Sequence, residues 1–378
     1  MNHLGTETAF EVLARARALE AKGKDIVHLE IGEPDFDTPR NIKDAARSAL
    51  DAGFTHYGPS AGMPEARAAI ADYVSRTRNT TIDPQQVVVT PGAKPIIFFT
   101  ALALLDPGDE VIYPNPGFPI YESMADYVGA KLVPLPLLEE NKFAFDPDHL
   151  ASLITKRTRL VIINSPHNPT GAVLPRETVA RLAELAVKHD FYVLSDEIYS
   201  RILYEGANVT PYTYPGMAER TIILDGHSKT YAMTGWRLGY GIFPLEMAPR
   251  IAKLQTNSTS CTCSFTQIAG IEALKGPQDS VDAMVKEFRA RRDLIVDGLN
   301  RIRGFHCHRP SGAFYVFPNI RDTGKGSKEM EAFLMEKAGV AVLAGTSFGV
   351  HGEGFIRLSY ANSQANLRKA IERIASVM

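Results

Sequence analysis

From about residue 84 to residue 240, short continuous apolar runs alternate with stretches whose apolar positions recur every three or four residues. Gln86–Thr90 (QVVVT), Asp109–Tyr113 (DEVIY), Arg159–Asn164 (RLVIIN), Phe191–Ser195 (FYVLS) and Thr221–Leu224 (TIIL) read as strands. Lys94–Leu105, Pro119–Val128 and Arg176–His189 read as helices between them. Strands that are apolar throughout, rather than at alternate positions, suit burial on both faces. The alternation therefore predicts an α/β fold with a mostly parallel central sheet flanked by helices.

After about residue 280 the pattern changes. Ser280–Ile302 reads as one long, charged, amphipathic helix. Strand-like Ala313–Phe317, a helix near Lys328–Lys337, strand-like Val340–Leu343 and Phe355–Tyr360, and a C-terminal helix follow. This second pattern predicts a smaller α/β domain. A chain of 378 residues exceeds the usual span of a single core, which also argues for two domains. The expected division is an N-terminal arm and segment over residues 1–45 packing on the small domain, a large domain over 46–285, and a small C-terminal domain over 286–378.

Charge narrows the partners. The 41 Lys and Arg against 43 Asp and Glu leave a net charge of −2, so no electrostatic footprint for nucleic acid is present. The longest apolar stretch, Ile96–Leu105, is broken by Thr100 and is about half of the ~20 residues that a membrane span needs. Glu7 and Glu11 near the start do not fit a basic-then-apolar leader. Cys261, Cys263 and Cys307 cannot all pair within one chain, and Cys-x-Cys alone is a weak metal signal. No metal and no membrane partner are expected, and a reducing cytoplasm is the simplest setting.

In an open parallel sheet, ligands bind beyond the carboxyl ends of the strands. The residues following the predicted strands are Pro91, Gly92, Ala93 and Lys94; then Pro114–Phe118; then Ser165–Gly171 with Asn168; then Asp196 and Tyr199; then Ser228 and Lys229. A helix entered through a small Gly-Ala turn suits a phosphate, because its first N–H groups are unpaired. A buried carboxylate suits a ring cation, and a lysine able to lose its proton suits a carbonyl as a Schiff base. Phosphate, ring nitrogen and aldehyde together describe pyridoxal 5′-phosphate (PLP).

The run SKTYAMTGWRLGY (228–240) is very similar to the lysine motif of class I aminotransferases of the fold-type-I PLP architecture. NSPHNPTG (164–171), SDEIY (195–199), GEPDF (32–36), YGPSAGMP (57–64) and FIRLSY (355–360) resemble further segments of that family, in order along nearly the whole chain. Among its members the chain is most similar to bacterial aspartate and aromatic aminotransferases. The resemblance implies that Lys229 forms the Schiff base and moves a proton between the substrate α-carbon and the cofactor. It implies that Asp196 pairs with the pyridine nitrogen, that Asn168 and Tyr199 bind the cofactor 3′-oxygen, and that Phe118 stacks on the ring. Gly92, Ala93, Lys94, Ser228 and Arg237 fall to the phosphate. Tyr57 resembles a tyrosine that reaches the phosphate from the neighbouring subunit, which implies a homodimer with shared active sites. Arg357 is matched to the substrate α-carboxylate, with Gly32 allowing close backbone approach. Lys94 either meets an acidic substrate side chain or only flanks the phosphate helix. One departure stands out: Gly226 occupies a position where many relatives carry a serine, which removes a hydroxyl contact.

The expected activity is a ping-pong PLP-dependent aminotransferase taking an L-amino acid and a 2-oxo acid, with aspartate and 2-oxoglutarate first. Aromatic, prephenate or alanine-type donors stay open. Lyases and cyclopropane-carboxylate synthases of the same fold carry similar lysine motifs. A PLP-binding regulator would need a DNA-binding module before the sheet, whereas here the residues before it match the enzyme arm.

Overall fold

The strands run β1 (Val27–His28), β2 (Val87–Thr90), β3 (Glu110–Asn115), β4 (Lys131–Pro136), β5 (Thr158–Asn164) and β6 (Tyr192–Asp196). They continue with β7 (Thr221–Gly226), β8 (Gly239–Ile242), β9 (Tyr315–Val316), β10 (Val340–Ala341), β11 (Leu343–Ala344) and β12 (Ile356–Ser359). The computed structural model describes Gly5 and residues 7–378. Seven strands form the central sheet in the order β2–β8–β7–β6–β5–β3–β4. All neighbours are parallel except that β8 runs antiparallel to both β2 and β7.

Alternate residues of β5 enter different cores, as a pleated strand requires. Leu160 and Ile162 join Ile96, Leu194 and Leu224 in one apolar cluster. Val161 and Ile163 join Leu182, Leu185 and Val193 in another. Helices Lys94–Leu104 and Arg176–His189 supply residues to the first and second cluster respectively. The sheet is therefore covered on both faces, and the apolar runs have the expected cause.

Strands β4 and β8 are absent from the sequence reading. β4 contains Pro134 and Pro136 and lies at the sheet edge, where a missing N–H costs no ladder bond. β8 reads GYGI, and its glycines carry little strand signal. A Cβ on Gly239 would lie 2.4 Å from the carbonyl carbon of Gly92. Glycine is thus required for β8 to pass the turn after β2.

Beyond the sheet, helix Asp279–Leu299 packs against the C-terminal helix Gln364–Val377. β11, β12 and β9 form a small antiparallel sheet. The stretch expected as one strand over 340–343 is divided: β10 pairs with β1 in parallel, while β11 pairs with β12. Two different partners, β1 from the far end of the chain and β12 from the next strand along, break the run. Among the described residues, no helix is long and apolar enough to cross a membrane.

Candidate active site

The parallel strands end at one cavity of about 840 Å³. β2 leads through Gly92, with φ +88°, into helix Lys94–Leu104. The Arg237 guanidinium lies against this turn: a Cβ on Gly92 would come within 2.1 Å of its Nη2. Arg237 is itself left-handed, with φ 54°, and its Nη1 donates to the Thr234 carbonyl at 2.7 Å. Ser228 and Ala93 also line the cavity. A helix start, a hydroxyl and a guanidinium make a cradle for a dianion.

Across the cavity, Asp196 ends β6 and is buried. Its carboxylate accepts from the Tyr121 hydroxyl at 2.5 Å and from the Ile198 backbone N–H at 3.2 Å. Both donors are neutral. Burial therefore pushes its pKa up to about 7, and the neighbouring Asp225 and Glu197 add to the rise. A buried carboxylate that lacks a cation is matched to a cationic N–H from a ligand.

Lys229 follows β7 and is half-buried at the cavity wall. Its Nζ donates to the Gly32 carbonyl at 2.6 Å. Burial lowers the amine to about 8, against the opposing pull of Glu33 and Glu7. An amine so placed is partly neutral near pH 8 and able to act as a nucleophile.

Arg357, on β12, is 4% exposed. Its Nη1 donates to Asn168 Oδ1 at 3.3 Å, its Nη2 donates to the Glu30 carbonyl, and its Nε has no partner. The guanidinium lies 4.6 Å from the Tyr315 ring centroid. An unpartnered buried N–H on an arginine bordering the cavity is a ready donor to a ligand carboxylate. The Asn168 backbone N–H donates to Asn164 Oδ1 at 2.8 Å, and the Tyr199 and Tyr315 hydroxyls are 2.7 Å apart.

The sequence matches the family model for aminotransferase class I and II over residues 24–374. The chain belongs to the class I and II aminotransferases. An aspartate aminotransferase of Pyrococcus horikoshii is 44% identical over 97% of this chain and 93% of that protein. An aspartate/prephenate aminotransferase of Thermus thermophilus is 43% identical over 97% and 94%. The solved structure of a Thermus thermophilus aspartate aminotransferase with maleate superposes with a TM-score of 0.95 at 42% identity, covering 99% of this chain and 97% of that one.

Within this aminotransferase, Lys229, Asp196, Tyr199, Asn168, Phe118, Ala93, Lys94, Ser228, Arg237, Gly32 and Arg357 all border the one cavity. Gly92 lies just behind it, under Arg237. Tyr57 stands apart and is 91% exposed. Gly32 has a definite reason: a Cβ there would lie 2.3 Å from the Tyr315 hydroxyl. Gly226 faces β8, where a Cβ would be 3.0 Å from Gly239 Cα, so a side chain here would crowd the neighbouring strand. Lys94 is paired with Glu7, whose carboxylate also borders the cavity.

Among the other residues that border the cavity, Tyr121, Tyr315 and Glu7 bear most directly on the site and are not anticipated by the sequence reading. Tyr121 follows Phe118 by three positions at the start of helix Pro119–Tyr127, and that spacing places both on one face. Their rings meet edge to face at 5.6 Å. The spacing was a usable signal. Tyr315 and Glu7 carry no local signal, because they reach the cavity from distant parts of the chain.

Proposed function

We propose that this aminotransferase binds PLP and transfers the amino group of an L-amino acid, aspartate first, to a 2-oxo acid, 2-oxoglutarate first. One observation carries the reading: a half-buried lysine amine, a buried carboxylate with only neutral donors and an arginine beside a helix start meet in one cavity. The donor set fits the cofactor. Asp196 suits a protonated ring nitrogen, and Ser228, Arg237 and the turn at Gly92–Lys94 suit the phosphate. When bound, PLP supplies an aldehyde for an amine and a ring that withdraws electrons from the substrate α-carbon.

The chain's own groups supply the rest. Lys229 takes the proton from the substrate Cα and delivers it to the cofactor C4′, as base and then as acid. Its lowered pKa suits both tasks. Arg357 holds the α-carboxylate and so sets the plane in which the Cα–H bond lies. Asn168 and Tyr199 would hold the cofactor 3′-oxygen, and Phe118 would offer a flat apolar face to the ring. One site serves both halves of the exchange, so ping-pong kinetics are expected.

The division at residues 45 and 285 frames this mechanism. Pairing of β1 with β10 supports grouping the N-terminal segment with the C-terminal part. Arg357 and Gly32 lie outside the seven-stranded sheet, which supports closure of that part over the substrate. The exposed Tyr57 ring supports a homodimer in which each subunit completes its partner's phosphate site. Three unpaired cysteines go with a cytoplasmic setting.

A second reading of the donor has its own observation. Glu7 neutralises Lys94, the lysine otherwise free to meet an acidic side chain, and this favours aromatic or alanine-type donors. An absorbance spectrum before and after adding L-aspartate, without oxo acid, tests both. A yellow band that bleaches as oxaloacetate is released is expected. A yellow band that ignores aspartate but bleaches with an aromatic donor moves the reading to the second. Protein left colourless by added PLP, or release of ammonia with pyruvate, overturns the transfer reading.

A further inference from the structure

Behind Asp196, two further carboxylates, Glu197 and Asp225, gather at the ends of two adjacent strands. Asp196 closes β6 and Glu197 follows it, and Asp225 lies near the end of β7. β6 and β7 pair in parallel, with Asp196 opposite Leu224. Asp196 and Leu224 border the cavity. The residues following each point the other way, as strand alternation requires. Glu197 and Asp225 are 1% and 2% exposed.

A single arginine spans them. Arg78 is the last residue of helix Pro64–Arg78, and Asn79 turns left-handed immediately after it. Its Nε donates to Glu197 Oε2 at 3.0 Å, its Nη2 to Asp225 Oδ2 at 2.5 Å, and its Nη1 to Thr77 Oγ1 at 2.7 Å. It is the only cation paired with either carboxylate among the described residues. Neutral donors complete the cluster. Ser195 and Asn208 donate to Glu197 at 3.1 and 2.8 Å. Ser200 and the Gly226 N–H donate to Asp225 at 3.2 and 2.7 Å. Arg78 does not itself border the cavity.

We infer that Arg78 is a positioning residue for this site: by bridging Glu197 and Asp225 it locks the end of β6 to the end of β7, and so sets Asp196 against Lys229. The inference rests on the PLP reading above. Each carboxylate is next to a piece of the machinery in sequence, since Asp196 precedes Glu197 and Lys229 follows Asp225 by four residues. A guanidinium is the side chain whose fork can hold two carboxylates at once. A buried pair stripped of one partner leaves an uncompensated charge, so the bridge is costly to open and the two strand ends move as one.

The test compares wild type, Arg78→Lys, Arg78→Met and the neutral combination Arg78→Met with Glu197→Gln and Asp225→Asn. Each is titrated with PLP well below its melting temperature, and kcat and KM for the donor are then measured. Arg78→Met is expected to bind PLP about tenfold or more weakly and to lose kcat with little change in KM, the signature of misplaced groups. Arg78→Lys is expected to regain stability more fully than cofactor affinity. The neutral combination removes the buried charges, so it serves if Arg78→Met does not fold. It is expected to remain weak in PLP binding because the bridge is gone. Wild-type PLP affinity and kcat in the folded Arg78→Met protein or in the neutral combination overturns the inference and leaves Arg78 a purely structural residue. Wild-type protein that takes up no PLP overturns the cofactor reading instead, and the two failures are told apart by that control.

Discussion

Lys229 and Asp196 are held in opposite senses by the same physical cause. Burial disfavours charge, so the amine falls to about 8 and the carboxylate rises to about 7. The rate at which cofactor-free protein takes up PLP should climb with pH and level off above about 8, well below the range of an ordinary lysine. Stopped-flow absorbance checks this, and Lys229→Ala should show no such uptake and no transamination. For Asp196 the folded pKa lies above the unfolded value of 3.8. Its contribution to stability is therefore present at low pH and is lost as pH rises through about 7. Asp196→Asn should melt about 2–4 °C higher than wild type in the cofactor-free state at pH 8. That gain should grow between about pH 4 and pH 7 and then level off. Calorimetry across pH decides it; an advantage that shrinks with rising pH would contradict the burial argument. Lys94 and Glu7 form the pair that most directly separates donors. Lys94→Ala should raise the KM for aspartate several-fold more than for an aromatic donor, and Glu7→Gln should lower the aspartate value. Equal effects on both donors would remove Lys94 from specificity.

At the scale of elements, the site depends on a close approach between strands that only glycine permits. Gly239 on β8 faces the backbone of Gly92 and Ala93, where a Cβ would sit 2.4–2.5 Å from backbone atoms. Backbone cannot swing aside as a side chain can. Gly239→Ala should cost about 1–3 kcal/mol and should weaken PLP binding, because the turn it displaces carries the helix start. Urea unfolding and PLP titration measure the two effects. Five strands of the central sheet lie within two residues of where periodicity placed them. Their apolar runs are local and directly legible. The two strands that escaped are the proline-bearing edge strand and the glycine strand, whose composition reflects neighbours rather than strand preference.

At the scale of the whole molecule, Tyr57 is the test of shared sites. Its ring is almost fully exposed and outside its own cavity. If each subunit completes its partner's site, Tyr57→Ala and Lys229→Ala proteins should each be impaired but restore one another. Mixing them in equal amounts under conditions of subunit exchange should recover about a quarter of wild-type activity, since half the dimers then carry one intact site of two. No recovery despite demonstrated exchange would mean that Tyr57 serves its own chain or none. The N-terminal segment makes the same point within one subunit. Glu7 borders a cavity built by strands that begin some eighty residues later, and Gly32 supplies the carbonyl that Lys229 touches.

The sequence by itself determined the α/β alternation, the placing of reactive residues at strand ends and the identity of Lys229, Asp196, Arg237 and Arg357 as candidates. The alternation, Lys229 and Asp196 follow from local patterns, because side-chain period and strand-end position are properties of consecutive residues; Arg237 and Arg357 follow from the resemblance of their motifs to the family. Only the tertiary structure decided which distant groups join them. Tyr121 under Asp196, Tyr315 against Tyr199, Glu7 on Lys94 and Arg78 behind the strand ends come from separations of 75 to 147 residues where their bonds are counted. No periodicity encodes such contacts. They are set when helices and strands pack, and it is this packing that turns ordinary side chains into a lysine of lowered pKa and a carboxylate awaiting a cation.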